Sequence, residues 1–193
     1  MRRKLCTMLV CFGLFPGAHA AFGQCQYEVT AVIEGPPCPW GPAPLVGKAM
    51  NESGAVVGWW QDCAEPTKEH AFLWTSEGGL ETLLMPEDVT SMVANDINDN
   101  GTIVGTWTRE YVGTRGFVYD QKSGEYTELP PQPGGAWNQA FAINNAGQVA
   151  GRRSIGKGVN PLNAYIWSAE DGFVDLKVPT NSNSAVLDIC ATG

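Results

Sequence analysis

Apolar side chains in this chain come in short runs of β-branched and aromatic residues, each closed off by Gly, Pro or Asn. Thr102 to Trp107, Gly116 to Asp120 and Glu125 to Leu129 are such runs, and a Gly-containing turn separates the last two. Val, Ile, Thr and aromatic residues suit a pleated, half-buried surface, whereas Gly and Pro mark the places where the chain turns. No window repeats its apolar residues with a helical period over a useful length. The pattern predicts short strands throughout, an all-β chain.

The runs themselves repeat. AMNESGAVVGWW from Ala49, DINDNGTIVGTW from Asp96 and AINNAGQVAGRR from Ala142 align, with Gly54, Gly101 and Gly147 at spacings of 47 and 46 residues. Gly58, Gly105 and Gly151 each follow by four residues, and FLW at Phe72, FVY at Phe117 and YIW at Tyr165 recur in phase. Leu83, Leu129 and Leu176 close the units, each with a Pro just beyond. Each unit reads as four strands, the first ending at Met50, Ile97 or Ile143, and four strands in about 46 residues is the size of a propeller blade. The expected fold is a β-propeller-like repeat of four-stranded antiparallel blades within 21–193. Full repeats fall at 46–86, 93–131 and 139–179, with an N-terminal strand at 27–33 and the start of a fourth unit at 184–193. That leaves an incomplete ring, so the expectation is either the front portion of a longer repeat protein or an open end, at blade three, covered by self-association.

The repeat decides the meaning of NDINDNGTIVG, Asn95 to Gly105, which resembles the start of a calcium-binding loop. The would-be first ligand is Ala49, Asp96, Ala142 or Asp188 in successive copies, and the acid required at position twelve is Trp60, Trp107 or Arg153. A loop of that kind needs several oxygen donors and the final carboxylate. What persists is Asn51, Asn98 and Asn144, each followed three residues later by Gly54, Gly101 or Gly147. Asn hydrogen-bonds its own turn and Gly accepts positive φ, so these are expected hairpin corners, and no metal or cofactor is expected.

Charge and cysteines place the protein. Arg2, Arg3 and Lys4 precede an apolar run from Leu5 to Phe15, and Ala18-His19-Ala20 follows, the layout of a Sec-type signal peptide over 1–20. The run is too short to span a bilayer, and no later segment is long and apolar enough, so no membrane insertion is expected. Without those three cations, Lys+Arg falls from 12 to 9 against 20 Asp+Glu, a net charge of about −11. Nucleic acid and anionic membrane surfaces demand basic patches and are not expected partners. Cys25, Cys38, Cys63 and Cys190 remain after cleavage, an even number in an oxidising compartment. Cys38 precedes the first full unit and Cys63 lies in its 2–3 loop, at the same end of the blade, so they are expected to pair. Cys25 and Cys190, both at the opposite end, are a second expected pair.

The combination of His70-Ala71-Phe72, the I-N-x-x-G-x-V-V-G strings and the trailing Leu resembles the HAF repeat of bacterial extracellular proteins, over Tyr27 to Gly193. The resemblance implies a secreted repeat protein and carries little about activity. The other copies read Arg115-Gly116-Phe117 and Asn163-Ala164-Tyr165, so His70 is not a shared functional residue.

Enzyme signatures are thin. GRRSIGKG, Gly151 to Gly158, lacks the hydroxyl of a phosphate loop and meets Asn160-Pro161 where a helix should begin. His70 is the sole histidine beyond residue 20, and nothing selects two carboxylates as an acid/base pair. Phe72, Trp74, Phe117, Tyr119, Tyr165 and Trp167 recur on strand three as core. Trp40 and Trp137 in inter-blade loops, with Trp60 and Trp107 ending strand two, are placed on one rim, able to stack on sugars or anchor a protein. The expectation is a secreted, non-catalytic binding or cell-surface module for a protein or glycan. A carbohydrate-active enzyme or lectin-like propeller is the alternative.

Overall fold

The computed structural model describes residues 33–131, 137–154, 162–176 and 184–190; the expected signal peptide, Cys25 and all but Ile33 of the N-terminal strand lie outside them. Every regular element among the described residues is a strand. A small hairpin of β1 (Pro37–Cys38) and β2 (Gly41–Pro42) comes first. Blade 1 is β3 (Leu45–Met50), β4 (Val56–Gln61), β5 (Glu69–Thr75) and β6 (Gly79–Thr82). Blade 2 is β7 (Val89–Ile97), β8 (Thr102–Arg109), β9 (Gly113–Asp120) and β10 (Glu125–Glu128). Blade 3 is β11 (Asn138–Ile143), β12 (Val149–Ser154), β13 (Leu162–Ser168) and β14 (Gly172–Asp175). In each blade the four strands lie side by side in chain order, all antiparallel, and no sheet closes on itself.

The two recurring glycines have different jobs. Gly54, Gly101 and Gly147 have φ between 80° and 84°, which costs glycine nothing. Each N–H bonds the carbonyl of Asn51, Asn98 or Asn144 three residues back, closing the expected corners. Gly58, Gly105 and Gly151 have no such φ and instead sit at a close crossing. A Cβ there would strike the carbonyl oxygen of Val46, Val93 or Gln139 and come within 2.9, 2.6 or 2.8 Å of the Phe72, Phe117 or Tyr165 ring. Beside this crossing each first strand carries a bulge at Lys48, Asn95 or Phe141, where the register skips one residue.

Strand alternation places neighbouring residues on opposite faces of blade 2. Ile103, Trp107 and Phe117 pack with Val57, Ala71 and Leu73 of blade 1. Val104 and Leu129 pack with Ala140, Val149 and Tyr165 of blade 3. Blade 2 is therefore held on both faces, and its core residues exclude water from two interfaces.

A second set of contacts runs through the corners. Asn51 Nδ2 donates to the Asn98 carbonyl at 3.1 Å, and Asn98 Nδ2 donates to the Asn144 carbonyl at 3.0 Å. Each Oδ1 meanwhile accepts backbone N–H groups of its own turn, from Ala55, from Asn100 and Thr102, or from Gln148. Asp96, the would-be calcium ligand, accepts from the Ile143 N–H of the next blade at 2.8 Å. The oxygens that suggested a cation thus serve as acceptors within and between blades. Residues 184–190 follow blade 3, with the Ser184 N–H donating to the Leu162 carbonyl and Ser184 Oγ accepting from Ala164.

Candidate functional site

The four tryptophans expected on one rim separate into different environments. Trp107 is 2 % exposed and stacks on Phe117 with ring centroids 5.1 Å apart, so its place on a ligand face is corrected: it is core. Its Nε1 donates to Glu128 Oε2 across strand three. Trp60 does the same in blade 1, donating to Thr82 Oγ1 at 3.0 Å, and Arg153 does it in blade 3, with Nε 2.9 Å from Asp175 Oδ1. The position two residues beyond the crossing glycine is therefore a strut tying strands two and four together, whatever residue occupies it. Trp60 is half-buried by this role. Trp137 is also half-buried, its backbone exchanging bonds with Ser154 and its ring lying 5.5 Å from the Arg152 guanidinium.

Trp40 alone of these is presented to solvent, at 94 % exposure. It stands at the tip of the β1–β2 hairpin, and Cys38 beneath it is joined to Cys63 by a disulfide closing 25 residues. Pro37, Pro39 and Pro42 stiffen the hairpin, and Ala43 N–H bonds the Pro36 carbonyl at its base. An open cleft of about 310 Å³ adjoins Trp40, walled by Pro42, Pro44 and Pro66 with Gln61 and Asp62 as its polar side chains. The disulfide is of the kind that persists in an extracellular or periplasmic environment. Cys190 is an exposed thiol, and Cys25, its expected partner in the second bridge, lies outside the described residues.

The 2–3 loop under this hairpin is organised by Asp62. Its Oδ1 accepts the N–H groups of Ala64 and Glu65, and its Oδ2 lies 3.0 Å from His70 Nε2. The Ala64 and Glu65 N–H groups, then His70, hold the Asp62 carboxyl below its ordinary range. His70 stacks on Trp60 at 4.2 Å with only 12° between the rings. The His of the HAF string thus anchors a loop. Its partner Asp62 escaped sequence reasoning because the pair forms only when β4 and β5 bring the loop's ends together.

A second concavity, of about 230 Å³, is lined from all three blades. On blade 2, Ser91, Thr108 and Thr114 are paired side by side across β7, β8 and β9, and Thr106 lies two residues along β8 on the same face. Glu69 enters from blade 1 and accepts from Ser91 Oγ at 3.0 Å; Gln139 and Phe141 enter from blade 3. The alternation Thr106-Trp107-Thr108 was visible in the sequence, but nothing there showed that its hydroxyls face a hollow. Among the described residues no cluster of three or more His, Cys, Asp or Glu is placed to hold a metal.

Residues 79–160 match the model of a family described only as a protein of unknown function, DUF3466. That span covers β6, all of blade 2 and the first half of blade 3. No curated protein matches the chain.

Proposed function

We propose that this chain is an exported, non-catalytic binding module that engages an extracellular glycan through Trp40. The carrying observation is a fully presented indole on a hairpin clamped by a disulfide and prolines. Exposing that much apolar surface disfavours the free protein, and rigid presentation spares the entropy of ordering an anchor on contact. Tryptophan is the residue most enriched among interface anchors, and a flat indole face suits the C–H face of a sugar ring. In the adjoining cleft Gln61 Nε2 donates to the Pro66 carbonyl, which leaves the Gln61 amide oxygen as an acceptor for a hydroxyl. The charged N-terminal start, its apolar run and Ala18-His19-Ala20 support export, as does the Cys38–Cys63 bridge.

The carbohydrate-active enzyme reading has less support. Glu128 is held by Trp107 and Arg109, Asp175 by Arg153, and Asp62 by three donors, so each has a structural task. The test is a glycan array probed with residues 21–193 and with the Trp40→Ala variant. Retention of specific glycans by the parent and loss of at least about tenfold in the variant is expected. An array with no retained glycan, or retention equal in both proteins, would overturn the reading.

A further inference from the structure

The three-blade hollow is unlike anything the repeat requires. The row Ser91, Thr108, Thr114 has counterparts in the other blades: Pro44, Gln61 and Glu69 in blade 1, and Trp137, Ser154 and Leu162 in blade 3. Residues that build the fold recur from blade to blade; the Asn-x-x-Gly corners and the crossing glycines do. This hydroxyl row does not recur, so the blade architecture does not account for it.

Its chemistry is specific. Four hydroxyls face one space at the lattice spacing of a sheet, roughly 5 Å between strands and 7 Å along one; Ser91 gives its proton to Glu69, and the three threonines can each donate and accept. Two amides complete them with assigned polarity. Arg152 Nε donates to Gln139 Oε1 at 2.8 Å, which leaves the Gln139 NH₂ as the donor end. Asn95 Nδ2 donates to the Ala140 carbonyl at 2.8 Å, which leaves its Oδ1 as an acceptor. Glu69 contributes an acceptor carboxylate. Among the described residues no lysine or arginine lines the hollow; the nearby Arg152 guanidinium is already bonded to Gln139 and lies against Trp137 and Phe141. An anionic ligand would meet a carboxylate and no facing cation. Val93 and Phe141 give the apolar walls. At about 230 Å³ the hollow is smaller than the roughly 300–1,000 Å³ typical of sites for drug-sized ligands. One ring fits it, an extended chain does not.

We propose that this hollow binds a single neutral sugar ring, with the hydroxyls of Thr106, Thr108 and Thr114, the Gln139 amide and the Glu69 carboxylate meeting its hydroxyls and Phe141 covering an apolar edge. The site is separate from Trp40 and does not rest on the glycan-anchor reading. An amphoteric hydroxyl row matches a ligand whose groups are themselves hydroxyls, because each pair finds a donor–acceptor arrangement by rotation. The surrounding strands hold the row without ordering cost at binding.

The experiment is a ¹⁵N NMR titration of residues 21–193 with a panel of free monosaccharides: glucose, galactose, mannose, N-acetylglucosamine, and glucose 6-phosphate as the charged comparison. At least one neutral sugar is expected to give saturable shifts confined to Ser91, Thr106, Thr108, Thr114 and Gln139, with glucose 6-phosphate weaker. Thr108→Val with Thr114→Val, which keeps the β-branched shape, should weaken binding about tenfold or more. Gln139→Leu provides an independent variant should the double one fold poorly. Trp40→Ala should leave these shifts intact, so an array result against the Trp40 reading leaves the hollow standing, and a failed titration leaves the Trp40 reading standing. No neutral sugar shifting these amides, shifts elsewhere only, or equal affinity in the folded variants would overturn the proposal.

Discussion

Asn98 shows what one residue of the repeat contributes. It is buried, its amide crosses to blade 3, and its Oδ1 closes its own turn on two N–H groups. Asn98→Ala removes the buried bond to blade 3 and leaves two part-buried turn N–H groups without their acceptor, at a cost of about 1–3 kcal/mol. Urea unfolding of the variant measures this, and a loss below about 0.5 kcal/mol would remove the corner-to-corner ladder from the account of stability. Much of this was legible beforehand: Asn and Gly recurring three apart specify a hairpin corner through local backbone chemistry alone. The donation to the neighbouring corner was not, because it depends on where the next blade lies. The same holds for Gly105, whose recurrence was plain but whose reason, a ring and a carbonyl crossing above it, is tertiary.

At the scale of the element, the Asp62–Lys68 loop is tied by one carboxylate. Folding lowers the Asp62 pKa, so the folded chain holds that proton less tightly than the unfolded chain. The stabilisation is therefore complete at neutral pH and is lost as pH falls below the ordinary value of 3.8. The Ala64 and Glu65 amide resonances should move together through that acid window. In Asp62→Asn, which keeps an acceptor oxygen but does not titrate there, the movement should vanish; an unchanged profile would mean that another group reports. Strand positions were read closely from alternation, Thr102 to Trp107 against an observed Thr102–Arg109, and the pairing of Cys38 with Cys63 followed from the end of the blade on which each loop emerges. The rim assignment failed for Trp107 because β8 runs two residues past it and its side chain points into a blade interface, a direction that one-residue alternation decides.

For the whole molecule, one repeat position has two fates. Met50 is 68 % exposed, whereas its counterparts Ile97 and Ile143 are 4 % and 6 % exposed. The latter two are covered because a preceding blade stands against each. Ile97→Ala and Ile143→Ala should cost about 2–4 kcal/mol each, and Met50→Ala less than about 0.5 kcal/mol. Thermal or urea unfolding of the three variants checks this order of blades directly. Equal losses at all three positions would mean that blade 1 is covered in solution by a partner surface. Leu176 repeats the theme at the other end, more exposed than its buried counterparts Leu83 and Leu129.

What the sequence determined by itself is whatever one unit can specify from local chemistry and period: four strands, glycine-dependent corners, an apolar third strand, the 47- and 46-residue repeat, and a disulfide joining two loops at one end. These depend on φ preferences, two-residue alternation and connectivity, all of which are written along the chain. Only the tertiary structure decided which faces met and which stayed open. It turned the Asp96 carboxylate from an apparent metal ligand into an acceptor for the next blade, and it made Trp107 core and Trp40 surface. It also gathered hydroxyls, amides and a carboxylate from three blades around one hollow. Those outcomes depend on the distance between residues 22 to 47 positions apart, set by how successive sheets pack, and no single unit of the repeat contains that information.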